Sequence, residues 1–174
     1  MDRLHPPPEL TTANARLVAF TDEHWTLEQS LSQDPDVTRW TYYPERLSDD
    51  QARERVRAAK ARARSGRSQR YAITAGDARL GMAGIAALDA EVPEVVYALL
   101  PAARGRGVAT EAATCLSGWL LDHGRPVVAL ITVEGNVASE RVAARAGFIL
   151  SETFRADHRG RDVLLRRWTR IRAG

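Results

Sequence analysis

The chain has 174 residues, a formal net charge of +3 at pH 7 and one cysteine. This length suits a single domain with a proper hydrophobic core. No apolar stretch approaches the ~20 residues that a membrane-spanning helix needs. One cysteine excludes an internal disulfide, which fits a cytoplasmic protein. The four histidines show no pair at metal-ligand spacing, so we expect no metal site.

The first half of the chain predicts a tail followed by mixed strands and helices. Residues 1–15 contain three consecutive prolines and lack the apolar segment of a signal peptide, so we expect a flexible tail there and one domain over residues 16–170. Apolar periodicity and cap residues predict a strand at 16–20, a helix at 22–33 capped by Asp22, an aromatic connector at 39–44, a helix at 49–64 capped by Ser48, and a hairpin of strands at 70–74 and 79–88.

The second half alternates strands and helices. The apolar patterns predict a strand at 95–100, a helix from Val108 to Gly124, a strand at 127–133, a short helix after Asn136, and terminal strands at 148–154 and 162–169. This order predicts an α/β (α+β) domain, with a mixed central sheet of about seven strands and helices on both faces.

A glycine-rich basic turn joins the strand at 95–100 to the next helix, in the segment L-L-P-A-A-R-G-R-G-V-A-T-E-A at 99–112. Gly105 and Gly107 tolerate positive φ and let a bulky anion approach the backbone. The first helical N–H groups have no intrahelical partner and carry the positive end of the helix dipole. Arg104 and Arg106 add guanidinium groups suited to phosphate. The turn therefore predicts a phosphate or pyrophosphate site.

This turn resembles the R-x-x-G-x-A pyrophosphate loop of the GCN5-related N-acetyltransferases (GNAT), with Arg104, Gly107 and Ala109 at the three motif positions. Downstream, N-x-A-S-x-R-V-x-x-x-x-G-F begins at Asn136, which is similar to the second half of that family. The chain most resembles the ribosomal-protein N-terminal acetyltransferase branch, whose members share a start like R-L-V-A-F at 16–20. The resemblance covers residues 16–168.

The resemblance implies a single GNAT domain whose sheet splays between the fourth and fifth predicted strands. It implies an acetyl-CoA-dependent N-acetyltransferase, which transfers the acetyl group by direct attack in a ternary complex. The acceptor would be a primary amine, on either a protein N-terminus or a small molecule. The resemblance implies that acetyl-CoA binds at Leu99, Arg104, Gly105, Arg106, Gly107, Val108, Ala109, Thr110 and Asn136.

Two residues are candidates for acid–base chemistry. Glu94 stands where relatives often carry the glutamate of E-I-G-Y and would accept the proton of the amine; the alternative is a surface charge at a strand end. Ser139 matches the proposed acid for the leaving thiolate, and the alternative is an ordinary first-turn hydroxyl. Asn136 would bind the pantetheine arm or simply cap a helix. Val96 stands where many relatives have glycine, so the resemblance does not fix the geometry of the acceptor side of the site.

Four aromatic residues are candidates for the acceptor pocket, although such clusters are as often plain core: Trp40, Tyr42, Tyr43 and Tyr97. Two other functions remain open, a non-catalytic acyl-CoA-binding module and an arginine-rich RNA-binding protein. The RNA hypothesis rests on the basic helix at 49–64. That helix is also explained by a solvated outer face with Val56, Ala59 and Ala63 turned inward, since aromatic residues do not interleave it. By analogy with the family, the chain could form a homodimer. We expect no membrane partner.

Overall fold

The computed structural model describes residues 4–172, which form one eight-stranded sheet with helices packed against it. The strands are β1 (Glu9–Thr11), β2 (Arg16–Ala19), β3 (Gln69–Ala75), β4 (Ala78–Ala86), β5 (Glu94–Leu99), β6 (Val127–Val133), β7 (Ile149–His158) and β8 (Arg161–Ile171). They lie across the sheet in the order β1-β2-β3-β4-β5-β6-β8-β7. Of the neighbouring pairs in the described chain, β5 and β6 are parallel and the others are antiparallel.

The helices of the described chain are α1 (Trp25–Gln33), α2 (Pro35–Trp40), α3 (Asp49–Arg64), α4 (Val108–Asp122) and α5 (Val137–Arg145). Short 3-10 turns at Asp22–His24 and Pro101–Ala103 precede α1 and α4. The predicted cap of α3 is confirmed, because the Ser48 hydroxyl accepts from the Gln51 N–H at 3.3 Å. No helix in residues 4–172 is long and apolar enough to cross a membrane.

The N-terminal segment corrects the expected flexible tail. Residues Glu9–Thr11 form β1 and pair with β2, and the Tyr71 hydroxyl donates to the Pro7 carbonyl at 2.9 Å. A three-residue strand is too short to show a period-two pattern, so the sequence predicted one strand too few. Residues 1–3 of the expected tail lie outside the described residues.

Two helix expectations between β2 and α3 are also corrected. Asp22 lies in the 3-10 turn and binds Lys60 at 2.7 Å, so it does not cap a continuous helix over 22–33. Part of the expected connector is α2, which begins with Pro35 and is capped by Asp34 through the N–H groups of Asp36 and Val37. With six residues, α2 is too short to produce a helical period in the sequence.

Helices cover both faces of the sheet, as predicted. Side chains of β5 alternate between the two faces. Val95, Tyr97 and Leu99 pack in the cluster that contains α4 and part of α5. Val96, Ala98 and Leu100 pack in the cluster that contains α1 and α3. The sheet therefore separates two hydrophobic cores, and β5 contributes to both.

The predicted splay lies between β5 and β6. The two strands pair at Glu94 and Ala129, where the Ala129 N–H donates to the Pro93 carbonyl at 2.9 Å. From there β6 pairs along its whole length with β8. Beyond Glu94, β5 and β6 diverge and leave a gap in the middle of the sheet, which positions the candidate site.

Candidate active site

A cavity of about 940 Å³ occupies this gap and extends over the sheet towards α2 and α3. Fourteen of the predicted site residues line it: Trp40, Tyr42, Tyr43, Glu94, Tyr97, Leu99, Arg104, Gly105, Gly107, Val108, Ala109, Thr110, Asn136 and Ser139. Arg106 is exposed and does not belong to the described lining. The structure thus brings residues from distant parts of the sequence into one concave site of the size that small-molecule ligands occupy.

The backbone of β5 offers hydrogen-bonding groups to the gap. Backbone groups alternate in direction along a strand, and the Leu100 N–H points towards β4, where it donates to the Leu80 carbonyl at 2.9 Å. The backbone groups of Tyr97 and Leu99 therefore face the gap. The Leu99 carbonyl indeed accepts from the Arg104 guanidinium at 3.1 Å. A ligand in the gap could form hydrogen bonds with these backbone groups of β5, as a neighbouring strand would.

The turn before α4 has the geometry that the sequence predicts for an anion site. Gly105 and Gly107 adopt φ of +73° and +78°, a conformation that favours glycine. Gly107 is the N-cap residue of α4, and no side chain caps the helix. The first-turn N–H groups of Val108, Ala109 and Thr110, at the positive end of the helix dipole, are thus available to a ligand.

Arg104 is engaged differently from the sequence prediction. Its guanidinium binds Asp34 at 2.7 Å and Asp36 at 3.0 Å, both at the N-terminal end of α2. Burial acts to raise the pKa of Asp34, but hydrogen bonds from Arg104 and from the Val37 N–H outweigh burial and hold it below its ordinary value. Arg104 thus ties the turn before α4 to α2 with its side chain, and its guanidinium does not point freely at a phosphate.

Glu94 lies half-buried at the start of β5, on the side of the sheet covered by α1–α3. Burial raises the pKa of its carboxyl group, and the positive charge of Arg167 offsets part of that effect. A carboxylate with a raised pKa is a stronger base than an exposed one, so Glu94 suits proton abstraction at the cavity wall.

Tyr97 and Ser139 form a hydroxyl pair across the gap. The Tyr97 Oη and Ser139 Oγ atoms lie 2.5 Å apart. Burial raises the pKa of Tyr97 to about 12, although the hydrogen bond with Ser139 acts to lower it, so the phenol stays protonated at neutral pH. The side chain of Asn136 accepts from the Ser139 N–H at 3.2 Å. Asn136 therefore caps α5 and fixes the residue that carries the Ser139 hydroxyl.

The other three predicted aromatic residues belong to the connector before α3 and line the cavity: Trp40, Tyr42 and Tyr43. Tyr43 is buried and its hydroxyl donates to the Glu28 carboxylate. Tyr42 is exposed, and its hydroxyl donates to the Asp157 carbonyl at 2.8 Å. Next to it, His158 is buried with its ring 4.7 Å from that of Tyr42, and its Nε2 lies 3.1 Å from the Arg39 carbonyl. The connector before α3 thus docks on the β7–β8 turn.

A buried charged group next to the cavity was not predicted from the sequence. Glu28 is fully buried and accepts from Arg55 at 2.7 Å and from Arg70 at 3.3 Å. Val56 and Ala59 are buried as expected, but Arg55 reaches the interior instead of belonging to a wholly solvated face. The signal was an acidic residue on the apolar face of α1, next to Leu27 and Leu31 in the helical repeat. His158 was missed as well, because nothing near it in sequence marks it.

Comparisons with known proteins agree with this architecture. The family model described as acetyltransferase (GNAT) domain matches residues 14–149. Similar solved structures include a RimL ribosomal L7/L12 alpha-N-protein acetyltransferase in complex with coenzyme A, with 19% identity, coverage of 93% of this chain and 96% of that one, and a TM-score of 0.84. An acetyltransferase from Salmonella typhimurium that modifies the N-terminal serine of the 50S ribosomal subunit protein L7/L12 has 18% identity, coverage of 93% of this chain and 97% of that one, and a TM-score of 0.81.

A third similar structure is the microcin C7 self-immunity acetyltransferase MccE in complex with acetyl-CoA and AMP. It has 14% identity, coverage of 96% of this chain and 98% of that one, and a TM-score of 0.87. Among curated proteins, no sequence matches the chain. At these identities the structural likeness establishes the fold, and the family assignment rests on the domain match.

Proposed function

We propose, since the chain belongs to the acetyltransferase (GNAT) domain family, that it transfers the acetyl group of acetyl-CoA to a primary amine within a ternary complex. One observation carries this proposal: a single cavity joins an uncapped helix N-terminus, a gap beside β5 and the half-buried carboxylate of Glu94. These features suit a pyrophosphate, an extended amide-bearing arm and a nucleophilic amine, respectively.

Acetyl-CoA fits the donor groups on the gap side of the cavity. Its pyrophosphate would accept from the backbone N–H groups between Gly105 and Thr110, with Arg106 free to approach from the solvent side. Its pantetheine amides would pair with the backbone groups of Tyr97 and Leu99. Arg104 would act indirectly, because its bonds to Asp34 and Asp36 hold the turn in place.

The proposed reaction is a direct attack of a neutral amine on the thioester carbonyl. Glu94 accepts the proton of the amine, directly or through water, and later releases it to solvent. A backbone N–H group of β5 that faces the gap donates to the carbonyl oxygen as negative charge develops. As the C–S bond breaks, Ser139 gives its proton to the leaving sulfur, and the Tyr97 hydroxyl stabilises the serine oxygen by a hydrogen bond. Ser139 regains a proton from water after the thiol leaves.

The accessible side of the cavity would receive the amine acceptor. A protein N-terminus and a small amine both fit the proposed chemistry, and the names of the similar structures include a ribosomal-protein enzyme and a self-immunity enzyme. Trp40, Tyr42 and Tyr43 would shape this side of the site. A homodimer stays a prediction, which light scattering of the purified protein tests.

Thiol release in the presence of acetyl-CoA tests the proposed activity. A panel of small amines and N-terminal peptides should include acceptors that release free coenzyme A thiol, with stoichiometric acetylation seen by mass spectrometry. If calorimetry detects acetyl-CoA binding but no amine in the panel gives thiol release above the rate measured without the protein, the proposal is wrong. That result would favour a non-catalytic acyl-CoA-binding module.

A further inference from the structure

Arginine side chains dominate the part of the cavity formed by α3 and β3. Arg55, Arg62, Arg67 and Arg70 all belong to the lining there. Of these, Arg55 and Arg70 bind the buried Glu28 carboxylate. We call Arg55, Arg62 and Arg70 the arginine cluster. Two of its three guanidinium groups bind the single carboxylate of Glu28, so the cluster carries an excess of positive charge.

Glu28 holds Arg55 and Arg70 in place without neutralising the arginine cluster. The side chains of Arg55 and Arg70 are 25% and 24% exposed, whereas that of Glu28 is fully buried. The Arg55 guanidinium also stacks on the Tyr43 ring, 4.8 Å from its centroid. These two guanidinium groups are thus fixed from the interior while part of each remains accessible from the cavity.

Arg62 lies near Arg55 and Arg70, and their positive charges repel its own. A bound anion would reduce this repulsion. Burial and the positive charges of Arg70 and Arg55 lower the pKa of its guanidinium, and Glu28 compensates only in part. Two acidic side chains belong to the described lining, Asp36 and Glu94. Asp36 is bound to Arg104, and Glu94 lies on β5. The positive charge of the cluster is therefore available to a ligand.

Sheet register places this cluster close to the reacting position. Arg70 pairs with Gly84, and Gly84 pairs with Val96, so the three residues form a row across neighbouring strands and share one face. The strand spacing puts Arg70 and Val96 about 10 Å apart at their Cα atoms. Gly84 has no side chain between them, and Glu94 lies two residues from Val96 on the same face of β5. An acceptor a few bonds long can span this row.

We propose that the amine acceptor carries a carboxylate or phosphate group, which the arginine cluster binds while the amine is directed to Glu94. The planar guanidinium groups of Arg55, Arg62 and Arg70 can bind either anion through paired hydrogen bonds. This inference rests on the proposed acetyltransferase function and specifies its substrate class. The anion can belong to a small molecule or to an acidic residue near a peptide N-terminus.

Matched acceptors that differ by one charge test the inference. In the small-molecule arm, glutamate α-amide is compared with glutamine α-amide, and O-phosphoserine amide with serine amide. In the peptide arm, two otherwise identical peptides carry Asp or Asn after the first residue. We expect the anionic member of at least one pair to have a kcat/KM about tenfold higher or more, mainly through a lower KM. The arm that shows the preference identifies the source of the anion.

Arg62→Gln and Arg64→Gln provide a matched pair of variants. Both residues are exposed and both replacements remove one positive charge from α3, but Arg62 lines the cavity and Arg64 does not. Arg62→Gln should lower the anionic preference about threefold to tenfold, Arg62→Lys should restore part of it, and Arg64→Gln should leave it unchanged.

Two results would overturn the inference. One is thiol release with neutral acceptors at rates equal to those of their anionic partners in every pair, which leaves the acetyltransferase proposal standing. The other is an equal loss of preference in Arg62→Gln and Arg64→Gln, which would assign the preference to long-range charge. If no acceptor of any charge gives thiol release, the proposed function itself fails and the inference fails with it.

Discussion

Glu94 is set apart from the other described carboxylates by its place at the start of the gap. The first pair of β5 with β6 holds its backbone, while its half-buried side chain reaches the cavity. Burial raises the pKa of Glu94, so the ionised form appears only above the ordinary pH range of a glutamate. The wild-type rate should therefore fall as the pH is lowered through this raised pKa.

Replacing Glu94 with Gln removes the proposed base while keeping its shape. We expect turnover to fall by about 10²–10⁴-fold, with acetyl-CoA affinity almost unchanged. The loss should shrink at high pH, because more of the amine is then already neutral. Rate–pH profiles and calorimetry measure both effects. A change below about threefold at neutral pH would reject Glu94 as the base and would leave positioning of the reactants as the main contribution of the protein.

Ser139→Ala tests the other half of the proton transfer. Turnover should fall without the alkaline recovery of Glu94→Gln, because the missing proton is needed by the sulfur and not by the amine. Tyr97→Phe should cause a smaller loss. The double variant should lose little more than Ser139→Ala alone, since the two hydroxyls act through one hydrogen bond. Fully additive losses in the double variant would show that Tyr97 acts independently of Ser139.

At the scale of elements, the beginning of α4 carries the proposed pyrophosphate site. Gly107→Val places a branched side chain on a residue with φ of +78°, which costs about 1–2 kcal/mol of backbone strain. It also places methyl groups beside the N–H groups that would bind phosphate. We expect a folded protein with strongly weakened acetyl-CoA binding by calorimetry. Unchanged affinity in a folded variant would remove the turn from the binding site.

Gly118→Ala is the control for this variant. Gly118 lies inside α4, and an added Cβ meets no atom within 4 Å. Alanine there should raise the free energy of unfolding by about 0.5–1 kcal/mol and leave acetyl-CoA affinity unchanged. Denaturant unfolding measures the first effect. A glycine replacement that perturbs α4 in general, and not at its N-terminus, would lower affinity in both variants.

The elements that the sequence predicted well are those specified by local chemistry. Gly105, Gly107 and the apolar face of α4 are neighbours in the chain, and their conformations follow from residue type. The partners of Arg104 were not predictable, since Asp34 and Asp36 are 70 and 68 residues away. Glu28 likewise meets Arg55 and Arg70 across separations of 27 and 42 residues. Such pairs depend on how the elements pack, which residue spacing does not encode.

At the scale of the whole molecule, Glu28 connects α1, α3 and β3 below the cavity. Glu28→Gln leaves Arg55 and Arg70 without their buried counter-charge, and we expect a loss of about 3 kcal/mol in the free energy of unfolding. Glu54→Gln is the control, because Glu54 pairs with Arg57 on the surface at 2.9 Å and should change stability by about 0.5 kcal/mol or less. Equal effects in denaturant unfolding would contradict a special role for Glu28.

The gap between β5 and β6 would make a ligand bound there a structural part of the sheet. Without a ligand, two antiparallel blocks, β1–β5 and β6–β8, share one parallel bridge, and the Tyr97 and Leu99 amides should exchange their hydrogens with solvent rapidly. An arm that pairs with these amides bridges the blocks and slows that exchange. Ligand binding then raises the free energy of unfolding by about 2.7 kcal/mol at a ligand concentration 100 times Kd. In the cell, the supply of substrate would thus shift the equilibrium between the folded and the unfolded protein.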